Sequence, residues 1–168
     1  MSEKIDTEVD SEISSSDEQY LLFLAGGILY AIEALKAQEI VEYTFLTKVP
    51  MMQSFVKGVT NIRGNIVPVI DLIDRFSLGS TTIGDKTSIV VTSYKVDDEE
   101  VDIGFLIDEV YEVDTIVTQD LRKAPEFGSK IDSKFILKMG KYKNEYIAIL
   151  NTDLILDVRE LSQLAGGK

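Results

Sequence analysis

A chain of 168 residues with 45% hydrophobic content is long enough for one compact unit, or for two small lobes around a shared core. It contains no His and no Cys, which removes the commonest general base, the usual zinc ligands, disulfides and thiol chemistry together. A net charge of −12 disfavours nucleic acid and anionic membrane surfaces, which are held through Lys and Arg.

Half of that charge lies in residues 1–18, where seven acids face Lys4 for a net of −6. This Ser-rich stretch has too little apolar surface to fold, and a disordered acidic tail is expected there. Its opening residues lack the basic-then-apolar order of a secretory signal. No apolar run approaches the roughly 18 residues needed to span a bilayer. A cytoplasmic protein without direct membrane insertion is expected.

From Tyr20 onward, short apolar runs alternate with turns, the texture of strands. Gly26-Gly27, between Tyr20–Leu24 and Ile28–Ile32, signals a hairpin. Between Val56 and Leu72 an extended run reaches Arg63-Gly64-Asn65, and a nearly all-apolar run follows. Gly64-Asn65 supplies the residue types that tolerate positive φ in a two-residue loop. Pro68 cannot donate to a ladder, so its strand should lie at an edge or bend there. A short helix over Asp71–Phe76 starts on an acid, which suits its dipole. The Ser/Thr/Gly cluster at Ser77–Asp85 is the candidate lobe boundary, placed near 77–87.

Thr87–Tyr94 and Val101–Tyr111 flank the charged loop Val96–Glu100. Within the second run Val101, Ile103, Phe105 and Ile107 alternate with Asp102, Gly104, Leu106 and Asp108, which predicts a half-buried strand. Lys134–Met139 and Tyr146–Leu150 form a last hairpin. A helix over 152–164 is expected, with Leu154, Val158, Leu161 and Leu164 near one face and Asn151 or Thr152 as its cap. The fold class is mainly β, in barrels or a sandwich.

Catalytic chemistry is hard to find. Leu24-Ala25-Gly26-Gly27 lacks the Lys and Ser/Thr of a phosphate loop. Asp108 and Glu109 are neighbours that face opposite sides of a strand. Asp97–Glu100 lacks the alternating ligands and turn Gly of a calcium loop. No enzyme activity, cofactor or metal is expected. By residue type alone, Arg63 is an exposed turn residue and Glu39 a solvent-facing strand residue.

Gly58-Val59-Thr60-Asn61-Ile62-Arg63-Gly64-Asn65-Ile66-Val67-Pro68-Val69-Ile70-Asp71-Leu72 resembles the signature of the CheW family, the adaptor domain of bacterial chemotaxis arrays. Tyr20–Leu24 with Tyr30–Ile32, Gln38–Val41, Val49-Pro50, Gly104–Val110 and Ala124–Phe127 resemble further family elements in the expected order, over about residues 19–157. The resemblance implies two small SH3-like five-stranded β-barrels sharing a core, with a short mid-chain helix and a C-terminal helix. It implies a non-enzymatic adaptor between the cytoplasmic tips of chemoreceptors and the regulatory domain of the histidine kinase CheA, recruited to membrane-associated arrays. Partner-binding positions carried over are Ala37, Glu39, Gly58, Asn61, Arg63, Gly64 and Val113, with Glu39 and Arg63 pairing across neighbouring strands. Gly58 has two readings, a backbone position needing unusual φ/ψ and a receptor-facing surface with no room for a side chain. Ala37 is smaller than the Val common at its position. A CheV-type scaffold, a detached kinase regulatory domain and a generic β-barrel binding peptides or single-stranded RNA stay open. Sparse aromatics, at 8% with no Trp, disfavour the RNA version.

Overall fold

The computed structural model describes residues 18–126, 128–156 and 159–160. The tail expected over 1–18 lies outside them except for Glu18. Eleven strands form two sheets among these residues. The first contains β1 (Glu18–Ala25), β2 (Ile28–Glu33), β8 (Glu109–Ile116), the two-residue β9 (Leu121–Arg122), β10 (Ile136–Tyr142) and β11 (Glu145–Leu150), in the order β8-β1-β2-β11-β10-β9. The second contains β3 (Glu39–Glu42), β4 (Val56–Ile62), β5 (Asn65–Asp71), β6 (Ser88–Val96) and β7 (Glu99–Ile107), in the order β3-β6-β7-β5-β4.

The two sheets share one plan. Each joins two hairpins through a parallel pair, β2 with β11 and β5 with β7. Each adds an outer strand, β8 or β3, to one hairpin. In each, the strand at the parallel joint runs into a one-turn helix with a side-chain cap. Asp71 caps Leu72–Arg75, and Asn151 caps Thr152–Ile155.

The hairpins are set by their turns. Gly26-Gly27, Arg63-Gly64, Asp97-Asp98 and Lys143-Asn144 all have positive φ at both central residues, the arrangement whose twist matches the flanking strands. The loop predicted at Gly64-Asn65 is therefore one residue earlier. Asn65 opens β5, and Arg63 takes φ 54°.

Three apolar clusters follow from the sheets. Tyr20, Leu22, Ala31, Ile116, Tyr142, Ile147 and Ile149 fill the six-stranded sheet, and Leu46, Val69, Ile89, Val91 and Leu106 fill the five-stranded one. Between them lies a larger layer built from both sheets, including Leu21, Phe23, Ile32, Ile70, Val90, Ile103, Phe105, Ile107 and Leu150. β7 is thus not half-buried. Ile103, Phe105 and Ile107 face the shared layer, while Leu106 faces the barrel interior.

Two polar contacts stitch the lobes together at the helix Thr152–Ile155. Tyr94 donates its hydroxyl to the carbonyl of Thr152 at 2.6 Å, and Arg75 donates Nε to that of Ile155 at 2.6 Å. Helix carbonyls without an intrahelical partner are thereby satisfied. The Arg75 guanidinium also lies over Phe55 and Phe135, at 4.7 and 5.0 Å from the ring centres.

Two expectations need correction and one holds. The boundary near 77–87 is internal to one sheet, because β6 and β7 pair with β3 and β5. The chain changes sheets instead between Glu33 and Glu39 and between Ile107 and Glu109. Pro68 does lie where β5 pairs with β4 alone, since the ladder to β7 covers only Val69–Asp71, where β5 becomes an interior strand. The helix expected over 152–164 is interrupted after Ile155, where Leu156 is extended (φ −125°, ψ 138°), and Arg159-Glu160 are helical again. Ile155 and Leu156 are both fully buried, and leaving the helix lets consecutive side chains reach the core. Residues 157–158 and 161–164 lie outside the described residues.

The buried tyrosines make a testable contrast. Among the described residues the hydroxyls of Tyr20 and Tyr142 are buried without a hydrogen-bond partner. Tyr20→Phe should leave stability unchanged or raise it by up to about 1 kcal/mol, whereas Tyr94→Phe should lower it by about 1 kcal/mol by stranding the Thr152 carbonyl. Burial, with the nearby charges of Glu18 and Glu33, pushes the Tyr20 phenol up to about 12, and burial also raises Tyr94. A raised tyrosine favours the fold below pH 10 and loses that contribution as pH climbs toward 12. Urea midpoints measured between pH 8 and 12 should fall less steeply in Tyr20→Phe than in wild type.

Candidate functional site

The five-stranded sheet closes on itself where its outer strands meet. The segment after β3 reaches β4 through a reciprocal bridge, Thr47 N to Val59 O at 2.9 Å and Val59 N to Thr47 O at 2.8 Å. Val59 lies opposite Pro68 in the β4–β5 ladder. Its backbone groups are spent on Thr47, so Pro68 loses nothing by having no N–H.

At one end of this seam the Arg63 Nε donates to Glu39 Oε2 at 2.8 Å. The pair does not join neighbouring strands of a ladder, as the sequence suggested. β3 and β4 are the two ends of the strand order, and Arg63 belongs to the turn after β4. Asn61 Oδ1 accepts from the backbone N–H of Gly64 at 3.0 Å and pins the turn. Gly64, at φ 86°, has open space where a side chain would be. Glu39, Asn61, Arg63 and Gly64 therefore form one small polar surface.

The remaining predicted residues are placed differently. Ala37 ends the 3₁₀ turn Ala34–Lys36, two residues before Glu39, and packs against the shared layer. Val113 is exposed on β8, the outer strand of the other sheet, opposite Leu21 of β1. Gly58 is buried at φ 150°, beside a register shift in β4. A side chain there would sit 2.5 Å from the Thr47 carbonyl oxygen and 3.0 Å from Leu46 Cβ. Its role is the close approach of two backbones at the seam, and the surface reading of Gly58 falls.

Large apolar side chains nearby escaped the sequence reading. Leu35, Phe45 and Met51 are almost wholly exposed, and Ile66, in the strand after Arg63, is 65% exposed. Residues 43–53 have no periodicity to place them on a face, and isolated apolar residues there look like core. Among the described residues, no group of three or more His, Cys, Asp or Glu could hold a metal ion. No described helix is long and apolar enough to cross a membrane.

With this geometry in hand, comparison with known proteins is decisive. The CheW-like domain family matches residues 19–160. The chain belongs to the CheW family. It is 31% identical over 148 residues to the chemotaxis protein CheW of Bacillus subtilis, covering 88% of this chain and 92% of that one. It is 31% identical over 138 residues to CheW of Helicobacter pylori, covering 82% and 81%. The crystal structure of the scaffolding protein TtCheW from Thermoanaerobacter tengcongensis superposes with a TM-score of 0.76 at 26% identity, covering 86% of this chain and 90% of that one. Two SH3-like β-barrels sharing a core are thus the fold of this CheW-family chain.

The energetics of Arg63 and Gly58 can be separated. The Arg63 side chain is 78% exposed and that of Glu39 25%, so their pair should stabilise by less than about 1 kcal/mol. Arg63→Gly, which relieves positive φ while losing the pair, should keep unfolding free energy within about 1 kcal/mol of wild type. Gly58→Ala should cost about 2 kcal/mol or more, through strained φ and the clash with Thr47. Chemical denaturation of the two variants checks both.

Proposed function

We propose that this chain is a non-enzymatic adaptor that couples the cytoplasmic tips of chemoreceptors to the regulatory domain of a CheA-type histidine kinase. Membership of the CheW family carries the adaptor role. The observation that carries the site is Arg63. A non-glycine residue in the left-handed region costs roughly 1 kcal/mol or more. A mostly exposed ion pair returns no more than that. Stability therefore gives little reason for an arginine at this turn, and since Asp97 and Lys143 take a similar φ in theirs, it is the match to the CheW family signature that points Arg63 to recognition.

In this reading Glu39 holds the guanidinium in place, Asn61 and Gly64 fix the turn that presents it, and Ala37 shapes the neighbouring surface. Val113 offers a second contact, on the other sheet. Gly58 acts indirectly, through the seam. Each contact would bury near or below roughly 800 Å² per partner, with many linked copies supplying avidity. Signalling is then a shift in kinase populations transmitted through these contacts. The adaptor is drawn from the cytoplasm to receptor arrays by its partners, without membrane insertion of its own.

Co-sedimentation with receptor signalling-domain fragments and CheA tests the proposal. Wild type should enter the pellet and raise kinase autophosphorylation, while the folded Arg63→Ala variant should lose at least about tenfold in affinity, or about 1.4 kcal/mol. Failure of wild type to bind either partner would remove the coupling role and leave the fold untouched.

A further inference from the structure

Charge is segregated along this chain. Residues 122–143 hold seven basic residues, Arg122, Lys123, Lys130, Lys134, Lys138, Lys141 and Lys143, against Glu126 and Asp132, a net of +5. The rest of the domain, residues 19–121 and 144–168, carries −11. Elsewhere Lys36, Lys57, Arg63, Arg75 and Lys86 each have a carboxylate partner, while Lys48 and Lys95 have none within salt-bridge distance among the described residues. Within the basic segment Lys143 has Glu112, and Arg122 donates to the carbonyls of Gln119 and Leu121. Lys123, Lys130, Lys134, Lys138 and Lys141 have no carboxylate within salt-bridge distance among the described residues.

An apolar groove of about 300 Å³ opens beside Lys130, between β2, β11, β10 and the segment before Ile131. Ile28, Met139, Tyr146 and Ala148 contribute to its floor, and Pro125 and Lys130 to its wall. Ile28 and Tyr146 are nearly half exposed. The groove lies on the sheet opposite to Arg63, so it is not part of the site above.

We infer that the acidic N-terminal segment of the same chain docks in this groove. Residues 1–18 carry −6 and place Ile5, Val9 and Ile13 four residues apart, with Glu3, Asp6, Glu8, Asp10 and Glu12 between and around them. That spacing sets three apolar side chains on one face when the segment turns helically, and the acids on the others. Residues 122–143 offer such a segment the one stretch of net positive charge in the domain beside an apolar surface. The reach is sufficient. β1 begins at Glu18 and pairs Ala25 with Ile28 at its far end, so the groove begins about 23 Å from the point of attachment. With residues 13–18 extended and the segment helical before Ile13, Val9 reaches about 22 Å from Glu18 and Ile5 about 28 Å, so the N-terminal half of the apolar face enters the groove.

The chain has no cysteine, so a nitroxide attached to Thr7→Cys in the full-length protein reports the position of the segment by paramagnetic broadening of amide resonances. At low salt, the amides of Ile28, Lys130, Tyr146 and Ala148 should lose at least about half their intensity and recover it in about 0.5 M salt. The exposed double variant Lys123→Glu/Lys130→Glu should abolish the broadening while the amide spectrum stays folded. Broadening confined to residues beside Glu18 and indifferent to salt would overturn the inference. So would broadening at the groove that arises only between a labelled copy and a separate isotopic copy, since the occupant is then a second molecule.

Discussion

Ile70 of β5, Val90 of β6 and Ile103, Phe105 and Ile107 of β7 meet Leu21, Phe23 and Ile32 of the other sheet in one continuous apolar layer. Neither sheet buries enough on its own. The interior of the five-stranded sheet holds five buried side chains and that of the six-stranded sheet seven, cores of the size that leaves a small domain marginal. Each lobe therefore uses the other as its second wall. Arg75 and Tyr94 fix the registry of that contact by reaching from one lobe to the carbonyls of Ile155 and Thr152 in the other. A packed pair of barrels results, with hairpin turns and the closing seam left at the periphery.

The Arg63 surface depends on that packing without contributing much to it. Glu39 is held by its register with Val91 of β6, and Arg63 by a two-residue turn whose strands pair from Val56 to Ile70. Thr47 and Gly58 bring the two outer strands together by backbone contact. The polar pair is thus presented by a frame that does not need it. An adaptor benefits from this division, since its contacts can change between partners while the double barrel persists.

Much of this was legible in the sequence, and the failures have physical causes. Gly26-Gly27 announced its turn because both residues accept positive φ freely. Arg63-Gly64 was displaced by one residue because arginine carries no such signal, and Asn65 does. Alternation in β7 identified the strand but not its double burial, since Gly104 and Leu106 face a second core that a single strand cannot reveal. The lobe boundary failed because the parallel pairing of β5 with β7 joins segments about 35 residues apart, where loop composition says nothing. The last helix was read as continuous because Leu154 and Leu161 keep helical spacing, while Leu156 is drawn into the core off that face and breaks it before Arg159-Glu160. Glu39, Asn61, Arg63 and Gly64 were singled out through the family resemblance, and their charge and turn types alone left them ordinary. Gly58 was found by the same route, but its buried contact with Thr47 required the fold.

The central claim is that Arg63 serves recognition and not stability. A double-mutant cycle on Glu39→Ala and Arg63→Ala, reading affinity for a CheA regulatory domain alongside the urea midpoint of each variant, tests it most directly. The account predicts that both single variants lose affinity, that the double variant is little worse than Arg63→Ala, and that the midpoints stay together. Affinity that falls only in step with a falling midpoint, or that is unchanged in Arg63→Ala, would contradict it.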